Sequence, residues 1–111
     1  CNPENRNQTF VAEYFDDDWF ALRSLVSNRC VDVWRTKKGN GAAIAQWDCH
    51  GKGNQRWRLL ARDGDWYSFE VKHSGKCLDL AQGKKTDGAQ FHQWNCRAGN
   101  TNQLFRVIPV K

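Results

Sequence analysis

Two aspartates and two tryptophans recur in this sequence at fixed distances from cysteine. Asp32 and Asp79 each follow a cysteine by two residues, in Cys30-Val31-Asp32 and Cys77-Leu78-Asp79. Trp47 and Trp94 each precede one by two, in Trp47-Asp48-Cys49 and Trp94-Asn95-Cys96. A carboxylate is an acceptor with room for several donors, and an indole offers a flat apolar face. The pair suits a ligand with a rim of hydroxyls and a weakly polar C–H face, such as a sugar, held in a shallow site of few parts. Hydrolytic chemistry is not indicated. No Ser-His-Asp or Cys-His set is recognisable, and the cysteines other than Cys1 are assigned to bridges. His50, His73 and His92 lack zinc-like spacing, so neither a metal nor a cofactor is expected.

These residues are placed by a repeat. The stretch Cys30 to Cys49 has an ungapped twin from Cys77 to Cys96. Besides the aspartates and tryptophans, the two share Lys37-Lys38 with Lys84-Lys85, Gly41 with Gly88, Ala42 with Ala89, and Gln46 with Gln93. A fixed offset of 47 positions marks a stacked supersecondary unit. A second element occurs three times, as Asn7-Gln8-Thr9-Phe10, Asn54-Gln55-Arg56-Trp57 and Asn102-Gln103-Leu104-Phe105. Cys1 to Gln8 also matches Cys96 to Gln103 in length. The chain therefore reads as one domain, with residues 1–17 the end of a first repeat, 18–64 a second and 65–111 a third.

Short aromatic and β-branched runs separated by Gly, Asn and Asp clusters predict strands. They fall at Phe10–Phe15, Trp19–Leu25, Cys30–Trp34, Ala43–Trp47, Trp57–Ala61, Trp66–Lys72, Cys77–Ala81, Gln90–Trp94 and Phe105–Val110. No stretch has sustained helical periodicity with caps, so the chain is expected to be all-β.

Bulk properties fit a small extracellular domain. Six tryptophans and six phenylalanines, with no methionine, imply a core of rigid rings. Cysteine pairs at identical spacing argue for disulfides, Cys30 with Cys49 and Cys77 with Cys96, and hence for secretion. Each would close a loop of about 20 residues, worth roughly 3 kcal/mol in the chain-entropy model. No apolar run approaches the ~18 residues of a membrane span. No signal peptide is visible, so the sequence reads as a mature chain or a cut fragment. The net charge of +5 favours acidic partners weakly. Nucleic acid is not expected without a basic helix or RNA-binding motif.

Three Gln-x-aromatic elements and a Cys-hydrophobic-Asp strand bridged to a Trp-x-Cys strand resemble the ricin B-type lectins. That family's β-trefoil packs three such units around a pseudo-threefold axis. The resemblance implies carbohydrate binding in which the Asp accepts from sugar hydroxyls, an aromatic near the Trp-x-Cys strand stacks on the ring, and the Asn of Asn-Gln-x-Trp closes the site. Carried over, it names Asp32, Trp47 and Asn54 in one unit and Asp79, Trp94 and Asn102 in the other. His92, two before Trp94, can bond a hydroxyl where Ala45 cannot, which puts the second unit first. Trp34 could compensate in the first.

Other readings of the same residues stand open. Each Asp could simply hold the turn below it, and Trp47 and Trp94 could be core. Gln8, Gln55 and Gln103, with Phe10, Trp57 and Phe105, read as scaffold. The lysine pairs suggest acidic sugars, with solvated turn charges the favoured alternative, and galactose-type or acidic sugars are the expected partners. On a trefoil, Asp32 and Asp79 lie on separate lobes, too far apart for a glycosidase pair.

The resemblance also implies an incomplete first unit, completed by a separate chain or fragment through Cys1, by a second copy, or by nonstandard packing. A lipid-modified Cys1 is the rival for that residue, and the sequon Asn7-Gln8-Thr9 reads as accidental. Such modules resemble both the receptor-binding parts of toxins and the targeting parts of secreted glycosidases. The competing class is a structural or assembly protein that uses its open strand edges for protein contact.

Overall fold

A computed structural model describes residues 10–80 and 91–106. Among these residues nine strands run in the order β1 Phe10–Tyr14, β2 Phe20–Ser24, β3 Cys30–Val33, β4 Ile44–Trp47, β5 Trp57–Ala61, β6 Trp66–Val71, β7 Cys77–Leu80, β8 Phe91–Trp94 and β9 Phe105–Arg106. All nine were legible as runs of aromatic and β-branched residues, to within a residue or two at their ends; the remainder of the expected Phe105–Val110 strand lies outside the described residues.

The strands form one sheet, ordered β4-β3-β2-β5-β6-β7-β8, with β1 added on β2 and β9 on β6. The run β2–β5 recurs as β6–β9. In each run a first strand leads into a two-stranded hairpin and returns through a fourth strand. Equivalent hairpins keep the same register: Cys30 faces Trp47 and Asp32 faces Ala45 across β3 and β4, as Cys77 faces Trp94 and Asp79 faces His92 across β7 and β8. Disulfides Cys30–Cys49 and Cys77–Cys96, with Cα separations of 5.1 and 5.0 Å, lock the hairpin ends.

Turn chemistry repeats as well. The turn before β3 places Asn28 at φ 60°, and the turn before β7 places Gly75 at φ 72°. Asn and Gly are the residues that enter this left-handed region at least cost. Between β1 and β2, Asp16 Oδ1 accepts from the backbone N–H groups of Asp18 and Trp19, both at 2.9 Å.

The core is the inward row of these strands. Phe20, Val31, Val33, Trp57, Val71 and Leu78 are buried, and Leu22, Ile44, Leu59, Phe69, Phe91 and Phe105 pack around them. Trp57 is fully enclosed and still has a polar partner, since its Nε1–H donates to the Val31 carbonyl at 3.1 Å.

Periodicity could not reveal the three single-turn 3-10 segments among the described residues, because three residues carry no repeat: Trp34–Thr36, Gly53–Gln55 and Thr101–Gln103. Two of them contain the Asn-Gln element. The first holds Arg35 at φ 56° and Thr36 at φ 58°, consecutive non-glycine residues in the left-handed region.

Candidate functional site

The second hairpin carries the denser cluster. Strand β7 alternates its side chains, and Asp79 turns beneath the sheet, where it is 4% exposed. Across the ladder His92 brings its Nε2 to 2.9 Å from Asp79 Oδ1. Gln103 Nε2 donates to Asp79 Oδ2 at 2.9 Å and to the Asn95 carbonyl at 2.8 Å, while its own Oε1 accepts from Arg97 N–H. The glutamine of the Gln-x-aromatic element is therefore scaffold, as its sequence suggested, and one of its contacts is the carboxylate itself. Trp94 lies beside this cluster, 38% exposed, with the His92 ring 5.3 Å from it and inclined by 31°.

The first hairpin builds a variant. Asp32, also 4% exposed, accepts from Asn54 Nδ2 at 3.2 Å on one oxygen and from Gln55 Nε2 at 2.7 Å on the other. No histidine faces it across the ladder, because Ala45 stands there. His50 approaches from the opposite side, its Nε2 3.4 Å from Asp32 Oδ2. Trp34 and Trp47 meet edge to face, with centroids 5.4 Å apart and planes at 77°, and both are exposed. Arg35 places its guanidinium 5.6 Å from the Trp34 centroid.

Trp47 and Trp94 are thus surface rings, and the reading of them as core does not hold. For the aspartates, the structural duty is plain: each carboxylate is held by internal donors. A carboxylate has about four acceptor positions, more than the internal donors named here occupy on either aspartate.

The two asparagines differ from the role the resemblance gave them. Asn54 is buried and donates to Asp32 and to the Val33 carbonyl, so it props the carboxylate from inside. Asn102 instead gives its backbone N–H to Asn100 Oδ1, and it is Asn100 whose amide reaches Asp79 Oδ2, at 3.5 Å. The segment from Cys96 to Gln103 is one residue longer than that from Cys49 to Gln55, which shifts the amide that arrives at the carboxylate.

His50 and Asn100 were missed from the sequence. For His50 a signal existed: it directly follows Cys49, whose bridge to Cys30 draws it toward Asp32. Lys37 and Lys38 are exposed on the loop after Trp34; Lys84 and Lys85 lie outside the described residues.

Among the described residues two hollows, of about 490 and 330 Å³, border Tyr14, and the smaller is also lined by His50 and the Cys30–Cys49 bridge. The rings of Trp34, Trp47 and Trp94 are exposed while the aspartates beside them are buried. No group of metal-ligating side chains occurs among the described residues.

Recurring four-strand runs capped by disulfide-locked hairpins, each with a propped carboxylate beside an exposed indole, define a β-trefoil of lectin type. The sequence matches the family described as ricin-type beta-trefoil lectin domain-like over residues 6–94 and 63–111, and the chain belongs to that family. ThreeFoil, a designed threefold-symmetric protein, superposes with a TM-score of 0.92 at 28% identity, covering 98% of this chain and 77% of its own. An exo-beta-1,3-galactanase from Clostridium thermocellum gives 0.85 at 26% identity, over 91% of this chain and 22% of the enzyme. A Polyporus squamosus lectin, bound to a human-type influenza-binding epitope, gives 0.73 at 21% identity, over 86% and 33%. Among curated proteins, none matches the sequence significantly.

Proposed function

We propose that this chain is a non-catalytic carbohydrate-binding module, secreted, whose principal site is the Asp79–His92–Trp94 cluster. The observation that carries this is the pairing of a fixed carboxylate with an exposed ring. Gln103, His92 and Asn100 hold Asp79 in place, so a hydroxyl meets an acceptor already oriented, and Trp94 supplies the stacking face. The Asp32 cluster, with Trp34 and Trp47, is the second site. Galactose-type or acidic glycans are the expected ligands, with Lys37, Lys38 and Arg35 favouring the acidic ones at the second site.

Family membership supports the reading, as does likeness to part of an exo-beta-1,3-galactanase, over 22% of that chain. Two disulfides suit an oxidising compartment. A place in a toxin or a glycosidase follows the same logic, as a targeting part that binds weakly per site and gains from several sites.

The test is a glycan array with wild type and Asp79→Ala, folding of the variant being checked by far-ultraviolet circular dichroism. Binding that vanishes in the folded variant supports the assignment. Binding unchanged by Asp79→Ala moves the principal site elsewhere, and silence of both proteins removes the lectin reading.

A further inference from the structure

Both aspartates belong to the same circuit of hydrogen bonds, and the circuits differ in one member. In the second unit the backbone N–H of Arg97 donates to Gln103 Oε1, and Gln103 Nε2 donates to Asp79. In the first, the N–H of His50 donates to Gln55 Oε1 at 2.9 Å, and Gln55 Nε2 donates to Asp32 Oδ2 at 2.7 Å. A position that holds a permanent cation in one unit thus holds a titratable ring in the other. That ring closes the circuit, with its Nε2 3.4 Å from the same Asp32 oxygen.

The backbone sets the tautomer of His50. A main-chain N–H can only donate, and that of Lys52 lies 3.0 Å from His50 Nδ1. Nδ1 is therefore the acceptor of the neutral ring, and the proton sits on Nε2, on the side of Asp32. Lys52 immediately precedes the 3-10 segment Gly53–Gln55, and its carbonyl accepts from the N–H of Gln55 at 2.9 Å. Ring, turn and the two amides that prop Asp32 form one connected unit.

We infer that His50 is a positioning residue that works as a proton-operated latch on the Asp32 cluster. Neutral, it fastens the turn from residue 50 to 53 and steadies Asn54 and Gln55 beyond it. Protonated, it carries an Nδ1–H that meets the Lys52 N–H, and two donors cannot share that contact. The turn must open there, while the imidazolium is drawn to Asp32. The other charged groups around it are Asp48 and Lys52 on its own segment, Arg29 at 3.9 Å from Asp48, Arg56, whose Nε donates to the Gly51 carbonyl, and Glu13, which lines the same hollow. Of the three acids, Asp32 is the buried one, where attraction is least screened. The side chain of His50 is 31% exposed, so solvent can supply the proton. The effect on binding rests on the reading of the Asp32 cluster as a sugar site. There the imidazolium takes an acceptor position that a hydroxyl would use, so binding weakens as pH falls through the histidine range of about 8 to 5.

NMR of the intact chain tests the latch with no ligand present. Long-range proton–nitrogen spectra at about pH 7.5 should show His50 as the Nε2–H tautomer. Between about pH 7.5 and 5, protection of the Lys52 amide, corrected for intrinsic exchange, should fall at least about fivefold with the midpoint of His50 itself. His50→Asn offers an Oδ1 that accepts from the same N–H without titrating. It should keep Lys52 protected at both pH values, with protected β5 amides showing that the variant is folded. An Nδ1–H tautomer overturns the proposal, and so does a His50 that titrates while Lys52 stays protected. Equal loss of Lys52 protection in wild type and His50→Asn overturns it too, by assigning the response to another group. Lactose and sialyllactose binding by Asp79→Ala, read at the same two pH values, then tests the effect on the site. Weaker binding at the lower pH supports the latch and equal binding counts against it. Silence at both removes the sugar reading of the Asp32 cluster, and the latch is then decided by the amide data.

Discussion

Asp79 and Asp32 show how a buried carboxylate is kept in place. Burial of a charge is costly unless hydrogen bonds compensate, and each aspartate has a glutamine amide and a further donor. A third aspartate has a cleaner electrostatic signature. Backbone hydrogen bonds from Trp19 and then Asp18 hold the Asp16 carboxyl below its usual 3.8. Because the folded value is depressed, the unfolded chain takes up the proton first as pH falls. The contribution of this turn is complete above the ordinary carboxylate range and is lost as pH drops through the folded value. NMR titration of Asp16 should show it protonating below a model carboxyl; titration at or above the model value would refute the capping role.

Within the strands, Trp57 is the residue on which most depends. It fills the barrel under β2 and β6 and bonds Val31, so Trp57→Ala should cost about 3 to 5 kcal/mol. Urea denaturation measures it, and a loss under about 1 kcal/mol would mean that the cavity collapses or that the ring is not central to the core. The strands and the scaffold duty of Gln55 and Gln103 were legible because repetition and alternating pattern are properties of the chain itself. Asn100 was not, since a single inserted residue decides which amide reaches Asp79. The Trp34–Thr36 turn was hidden for another reason: nothing in Trp-Arg-Thr announces two left-handed residues, and the conformation is held by Gln93 and His73 from the other half of the fold, both of which bond the Lys37 carbonyl.

Across the whole molecule, the two clusters differ in kind. One couples its carboxylate to His92 and a single indole; the other sets two indoles at a corner beside Arg35, Lys37 and Lys38. If the second takes acidic glycans, its binding should weaken as salt rises, because exposed charges are screened over ~8 Å at physiological ionic strength. Neutral glycans bound through Asp79 should show little change. Titration of an acidic and a neutral ligand at 50 and 500 mM salt separates the cases, and equal salt dependence would argue against the basic loop as a selector.

The strained turn at Arg35 and Thr36 bears on the timing of order. Left-handed geometry costs a non-glycine residue roughly 1 to 2 kcal/mol, and here the fold has met that cost before any ligand arrives. A ring on a pliant loop must lose its freedom at the moment of contact, which subtracts from affinity. Trp34 is instead pre-organised against Trp47. Thr36→Gly would relieve the strain and could leave the folded protein as stable as before. The entropy withheld during folding would then fall due on association, so the variant should bind more weakly by a mechanism that removes no contact at all.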